Sequence, residues 1–346
     1  MKAAILEAQN TPLVVADLEV PALDVGQVLV KVEYSGVCGK QMEEISGRRG
    51  DDPYLPHLLG HEGSGIVEDV GPGVRKVAAG DHVVLHWIKG PGIDSAPPRF
   101  SRNGTAVSAG WVTTFSERTV VSENRITAIP DDIPFDVAAL LGCAVTTGLG
   151  IVFNNAELRP GQSIALFGVG GIGLNVIQGA AMVSAYPIVA IDLHDNKLEQ
   201  AAAFGATHTF NSSKGGAHEF LMELSHGDGF DATVDVTGNN GVRQIAYNST
   251  SHIGKTIFAG VPYLQEQITI DSFPLHFGRR MIGSHGGETR PDVDIPRYVQ
   301  LYKLGKLKLD EQISHRFGLD DINDAIDTVR SGEAGRCLIT MSDISR

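Results

Sequence analysis

Short apolar runs bounded by Gly, Pro and Asp dominate the first 125 residues: "MKAAILEA" (1–8), "QVLVKVEYSGV" (27–37), "EGSGIVEDVG" (62–71) and "GDHVVLHW" (80–87). Runs of that length with turn residues at both ends predict strands. From about residue 150 the pattern changes. "SIALFGVG" (163–170), "PIVAIDL" (187–193), "ATVDVTG" (232–238) and "KTIFAGV" (255–261) are continuously apolar. Helical patterns, "IGLNVIQGAAMVSA" and "NKLEQAAAFGA", separate the early ones. Strands without polar alternate positions are covered on both faces, and strands separated by helices build a parallel sheet. The tail adds one helical pattern, "DINDAIDTVRSG", and one strand, "RCLITM". The fold class is therefore α/β: a doubly wound parallel sheet plus a mainly β domain. The stretch 88–111, rich in Gly, Pro and Ser, is expected to be an ordered loop.

Composition narrows the setting. A chain of 346 residues is long enough for two domains, each with its own core. A net charge of −13 argues against nucleic acid as a partner. No apolar run is long enough to span a membrane, and the N-terminus has no signal-peptide pattern, so neither membrane nor export is expected. Three cysteines cannot form a disulfide framework, and a reducing cytoplasm is the natural setting.

Gly168, Gly170 and Gly173 stand in G-x-G-x-x-G spacing between a predicted strand and a predicted helix, with Val169, Gly171 and Ile172 between them. The next strand ends in Asp192. This arrangement binds dinucleotides. The glycines allow a tight turn, close approach of a pyrophosphate and close helix packing, while the carboxylate takes the ribose hydroxyls. A carboxylate repels a 2′-phosphate, and no Arg follows Asp192 directly, so NAD is expected over NADP. Lys197 is within reach of the ribose from the next turn.

Cys38, His61 and Cys143 each lie beside a glycine in a turn between apolar segments. Singly, each fits a small buried side chain. Together, two thiolates and an imidazole are a donor set for a catalytic zinc with an open fourth position. Cys337 begins a late strand and reads as core. His82 and His86 flank a strand and are expected to face solvent or a cleft rather than bind metal. His285 is expected at the surface.

The ordered set Gly36…Cys38, "GHEGSGIVEDVGPGV…GDHV", "LLGCAVTTGLG", "GVGGIG", Asp192, "AGVP" and "SGEAGR" resembles the zinc-dependent medium-chain alcohol dehydrogenases over essentially the whole chain. The resemblance implies a GroES-like catalytic domain, 1–146 and 288–346, around an NAD-binding Rossmann domain, 147–287. It implies that Cys38, His61 and Cys143 bind the catalytic zinc, with Glu62 behind it as a transient ligand. Thr147, Ile172, Thr237, Gly260 with Val261, and Arg336 would line the NAD site. The family's four-cysteine cluster would fall in 88–105, which holds no cysteine, so no structural zinc is expected.

Two further departures flank Cys38. Lys40 stands where the family has a proton-relaying Ser or Thr, and Gln41 where it has an Asp that orients the zinc-binding histidine. Glu43 falls where many members keep a relay histidine. Lys40 then has three readings: an ammonium paired with Glu43 or Glu44, the proton acceptor, or a contact to an acidic or polyhydroxyl substrate. The resemblance implies hydride transfer between an alcohol (primary, secondary or sugar-type) and NAD. The alternatives are reduction of an activated double bond and a non-catalytic NAD-binding relative. A homodimer is expected, or a tetramer of such dimers, with the run 255–270 as the sheet edge that pairs across the two-fold axis.

Overall fold

The computed structural model describes residues 1–48, 50–332 and 334–341. It contains two compact units, Met1–Cys143 with Arg290–Arg346, and Ala144–Thr289. Among the described residues no helix is long and apolar enough to cross a membrane.

The first unit is built on two sheets. In the larger, the strand Glu62–Val70 lies between His82–His86 and Gln27–Gly36, and Gln27–Gly36 also pairs with Arg336–Thr340. Alternation along Gln27–Gly36 assigns its faces: Val28, Val30 and Val32 enter one core with Val67, Val83 and Leu85, while Leu29 packs against another. Cys337 lies in a third core with Val37, Ile322 and Ala325, as its apolar context implied. The stretch 88–111 is not all loop. It contains a hairpin, Arg99–Arg102 with Thr105–Ser108, turning on Asn103 and Gly104, both at positive φ. An Asn-Gly pair satisfies the two left-handed positions of such a turn, and that signal went unread among the prolines.

In the second unit six parallel strands run in the order His208–Asn211, Ile188–Asp192, Ile164–Phe167, Phe230–Asp235, Thr250–Phe258, Arg280–Gly283. The order reverses direction after the third, which is the switch point of a doubly wound fold. Ile164 and Leu166 feed one core, Ala165 and Phe167 the other, so the strand has no solvent face. That explains its unbroken apolar run. Two corrections follow. The sequence reading named helices only between the early strands, but Ala217–Leu224 and Asn240–Asn248 also lie between the later ones. The run from Lys255 is also not at the sheet edge, because Arg280–Gly283 pairs alongside Thr250–Phe258.

Candidate functional site

Cys38 leaves the strand Gln27–Gly36 and forms the N-cap of the helix Gly39–Ile45. His61 leads into Glu62–Val70, and Cys143 is the last residue of its unit's first segment. The two sulfur atoms and one ring nitrogen lie within 4.8 Å of one another. All three cysteines of the chain are free thiols. Hydrogen bonding from Cys143 holds the Cys38 thiol well below the usual thiol range. The imidazole of His61 and the charge of Arg336 act in the same direction, and burial opposes them. Thiolate-forming sulfurs and a neutral imidazole are the donors zinc requires, so the residues fit the metal that the resemblance implies.

Gln41, 1% exposed, ties this corner together. Its Oε1 accepts from the Cys38 backbone N–H at 2.9 Å, and its Nε2 lies 2.6 Å from His61 Nδ1. The amide therefore fixes the imidazole from behind, as second-sphere partners of metal-binding histidines do. Lys40 Nζ lies 2.9 Å from Glu44 Oε1 one turn on, with both side chains about 70% covered. Glu43 is on the same helix and engages a partner of its own.

Behind Cys38, Arg336 Nη2 donates to Glu62 Oε1, and both side chains are buried. A Cβ on Gly36 would stand 2.5 Å from that carboxylate oxygen and 2.8 Å from the guanidinium, so only glycine leaves space for the pair. The structure thus sets Arg336 against Glu62 inside the first unit, a partnership that the sequence did not show. His86 also departs from expectation. It is 1% exposed, with Nδ1 on the Ile88 carbonyl and Nε2 on Thr127 Oγ1, and burial pushes its pKa down to about 4. His82 packs on Phe135, ring centroids 4.5 Å apart.

In the second unit Gly168 turns at φ 97° and Gly170 caps the helix Gly171–Met182. A Cβ on Gly173 would stand 2.2 Å from the Gly168 carbonyl, so that glycine is required by packing. At Gly170 a Cβ would meet nothing within 4 Å. Glycine there answers no need of the protein's own packing, whereas close approach of a pyrophosphate would demand it. Asp192 accepts from the N–H groups of Val169, Leu193 and His194 at 2.7, 2.7 and 3.1 Å. Lys197 is buried on the helix Asp195–Phe204, and Ile172 is half-buried. Thr147 Oγ1 is buried with no partner, an orphan hydroxyl that a bound group would satisfy. The sequence reading missed Asp235. This fully buried carboxylate accepts from Thr237 N, Thr237 Oγ1 and Arg243 Nε, and Arg243 in turn donates to the Gly260 carbonyl. It thereby positions Thr237 and Gly260, with Val261 half-exposed beside them.

Residues 24–131 match the model of the alcohol dehydrogenase GroES-like domain, and residues 171–303 that of the zinc-binding dehydrogenase domain. The chain is 34% identical to an S-(hydroxymethyl)glutathione dehydrogenase of Escherichia coli O1:K1 / APEC, covering 98% of this chain and 99% of that one. It is 35% identical to one of Komagataella pastoris, covering 98% and 97%. The solved benzyl alcohol dehydrogenase of Acinetobacter calcoaceticus superposes with a TM-score of 0.89 at 26% identity over 99% of each chain. The chain belongs to the zinc-dependent medium-chain alcohol dehydrogenases. It is an oxidoreductase that exchanges hydride between an alcohol and NAD.

Proposed function

We propose that Cys38, His61 and Cys143 hold a single catalytic zinc and that the enzyme acts on a primary alcohol. The convergence of those three donors within 4.8 Å carries the reading. The relatives' names support the substrate class, since S-(hydroxymethyl)glutathione and benzyl alcohol both present a hydroxymethyl group. When bound, zinc supplies a Lewis acid for the alcohol oxygen and NAD the hydride acceptor. The chain supplies the rest. Gln41 orients His61. Gly168, Val169, Gly170, Gly171 and Gly173 form the pyrophosphate cradle, and Thr147, Ile172, Thr237, Gly260 and Val261 line the dinucleotide. NADH formation across primary, secondary and sugar alcohols tests the reading. Turnover confined to secondary or sugar alcohols would overturn the substrate class.

Asp192 is assigned the adenosine ribose hydroxyls, because it is held by three backbone N–H groups beside Gly170. The expected outcome is NAD preferred over NADP, and a lower preference in Asp192→Gly. Equal use of NADP by the unaltered enzyme would remove the assignment.

Lys40 is assigned to positioning. Its ammonium is committed to Glu44, an i,i+4 pair along the helix that Cys38 caps and that contains Gln41. Lys40→Met is expected to leave kcat within a few-fold. A fall of ~10²-fold or more, partly recovered by Lys40→Thr, would make Lys40 the proton acceptor instead.

We also infer a homodimer and a cytoplasmic setting. The edge strand Arg280–Gly283 is largely exposed, and Tyr263, Leu264, Phe273 and Phe277 near it in the chain are exposed apolar residues that a second copy would cover. Light scattering at micromolar concentration returning a monomer would contradict this. Three free thiols, two of them metal donors, suit a reducing compartment.

A further inference from the structure

Asp235 ends the strand Phe230–Asp235, the first strand beyond the switch point from Asp192, and its side chain has no exposed surface. Oδ1 accepts from the N–H and the hydroxyl of Thr237 at 2.8 and 2.6 Å. Oδ2 accepts from the Gly238 N–H and from Arg243 Nε, both at 3.2 Å. Arg243, on the helix Asn240–Asn248, reaches across to the next turn, where Nη2 donates to the Gly260 carbonyl. Its guanidinium carbon lies 5.1 Å from the centre of the Phe258 ring. One nearly buried ion pair thus ties together the turns that follow two neighbouring parallel strands.

The two turns also interlock. A Cβ on Gly238, at φ 75°, would stand 2.3 Å from the Val261 carbonyl oxygen, and one on Gly260 would stand 2.2 Å from the Gly238 nitrogen. The N–H groups of Ala259 and Gly260 both donate to the Asp235 carbonyl. Thr237 in turn packs on the glycine motif, since a Cβ on Gly168 would stand 3.0 Å from its Cγ2. A buried ion pair is a poor device for stability alone, because apolar residues of similar volume often do as well. What it supplies is direction: each bond fixes one donor at one place. That fixed geometry lies at the carboxyl ends of the strands, where ligands bind in open α/β sheets. Asp192 is assigned the adenosine ribose and the Gly168–Gly170 turn the pyrophosphate, so the strands beyond the switch point face the nicotinamide nucleoside. Val261, an apolar residue left 52% exposed, is carried on the turn that Arg243 holds.

We propose that Asp235 and Arg243 are a positioning pair for the nicotinamide half of the cofactor. They hold the turns at Thr237 and at Gly260–Val261 in the bound arrangement before the dinucleotide arrives, and so set affinity for that half from behind. The proposal rests on the reading that these turns line the dinucleotide, and it names what keeps them in place.

The test compares NADH with ADP-ribose, which shares the adenosine and pyrophosphate groups and lacks the nicotinamide, by calorimetric titration of the whole enzyme. Arg243→Met releases the Gly260 carbonyl and takes from Asp235 its guanidinium partner. If the turns then keep the bound arrangement about one tenth of the time, Kd for NADH rises ~10-fold, while Kd for ADP-ribose stays within about two-fold. Arg243→Lys keeps a cation beside Asp235 and so protects the fold if Arg243→Met does not fold. An ammonium does not bridge carboxylate and carbonyl as the guanidinium fork does, so Arg243→Lys should show the same selective loss, smaller in size. Equal weakening of both ligands would make the pair a general support of the sheet. Unchanged NADH affinity in the folded variants would leave it no part in binding. Either result overturns the proposal alone. Failure of the unaltered enzyme to bind either ligand would instead overturn the assignment of these turns to the dinucleotide, and the proposal with it.

Discussion

Cys143→Ser is expected to remove the metal and to cut turnover by roughly 10³-fold or more, while the fold persists. The side chain is 6% exposed and its sulfur lies within 4.8 Å of the other two donors. Serine is nearly the same size, so little packing is lost. Its hydroxyl is a far poorer zinc ligand than a thiolate, however, and one imidazole and one thiolate cannot hold the ion alone. The same substitution removes the leading cause of the depressed Cys38 thiol, the hydrogen bond from Cys143, and so leaves the remaining thiol less ready to ligate. Elemental analysis should read one zinc per chain before the change and almost none after it, with far-UV circular dichroism unaltered. Two zincs in the unaltered enzyme would contradict the single-metal proposal, since residues 88–105 hold no cysteine. Full zinc in Cys143→Ser would mean that Cys143 is not a ligand.

The second large effect is on stability. Glu62 has no exposed side-chain surface, Arg336 has 6%, and the two form an ion pair beneath Gly36. Arg336→Met would take from the buried Glu62 carboxylate its guanidinium partner, at a cost of about 3–5 kcal/mol. Glu62→Gln should cost less, because the amide oxygen still accepts from the guanidinium, and Arg336 retains its attraction to Cys38. The double variant Glu62→Gln with Arg336→Met should recover much of the single Arg336→Met loss, because no buried charge then remains. Urea unfolding of the metal-free forms measures all three. A loss below about 1 kcal/mol for Arg336→Met would put the pair in the class of solvated ion pairs and remove this account of Gly36.

Several features were legible in the chain because they are written locally. Continuous apolar runs gave the parallel strands, since a strand covered on both faces has no polar positions at all. The glycine motif and Asp192 could be read because turn, helix start and carboxylate lie within two adjacent strands and the turns that follow them. Cys38, His61 and Cys143 could be read because each has the residue type and glycine-flanked turn that a ligand needs. The tertiary structure alone decided the partners. Arg336 meets Glu62 across 274 positions of sequence, and that meeting depends on Arg336–Thr340 pairing beside Gln27–Gly36, with Gly36 at the crossing. His86 looked free to face solvent, but the pairing of its strand with Ile126–Ala128 buries it beside Thr127. Lys40 had two glutamates within a helical turn, and side-chain placement on that turn set its ammonium on Glu44. Sequence pattern reports which face a residue presents, because burial follows the local period. Which partner waits there is set by strand register and by the space small residues leave, and neither is a local property of the chain.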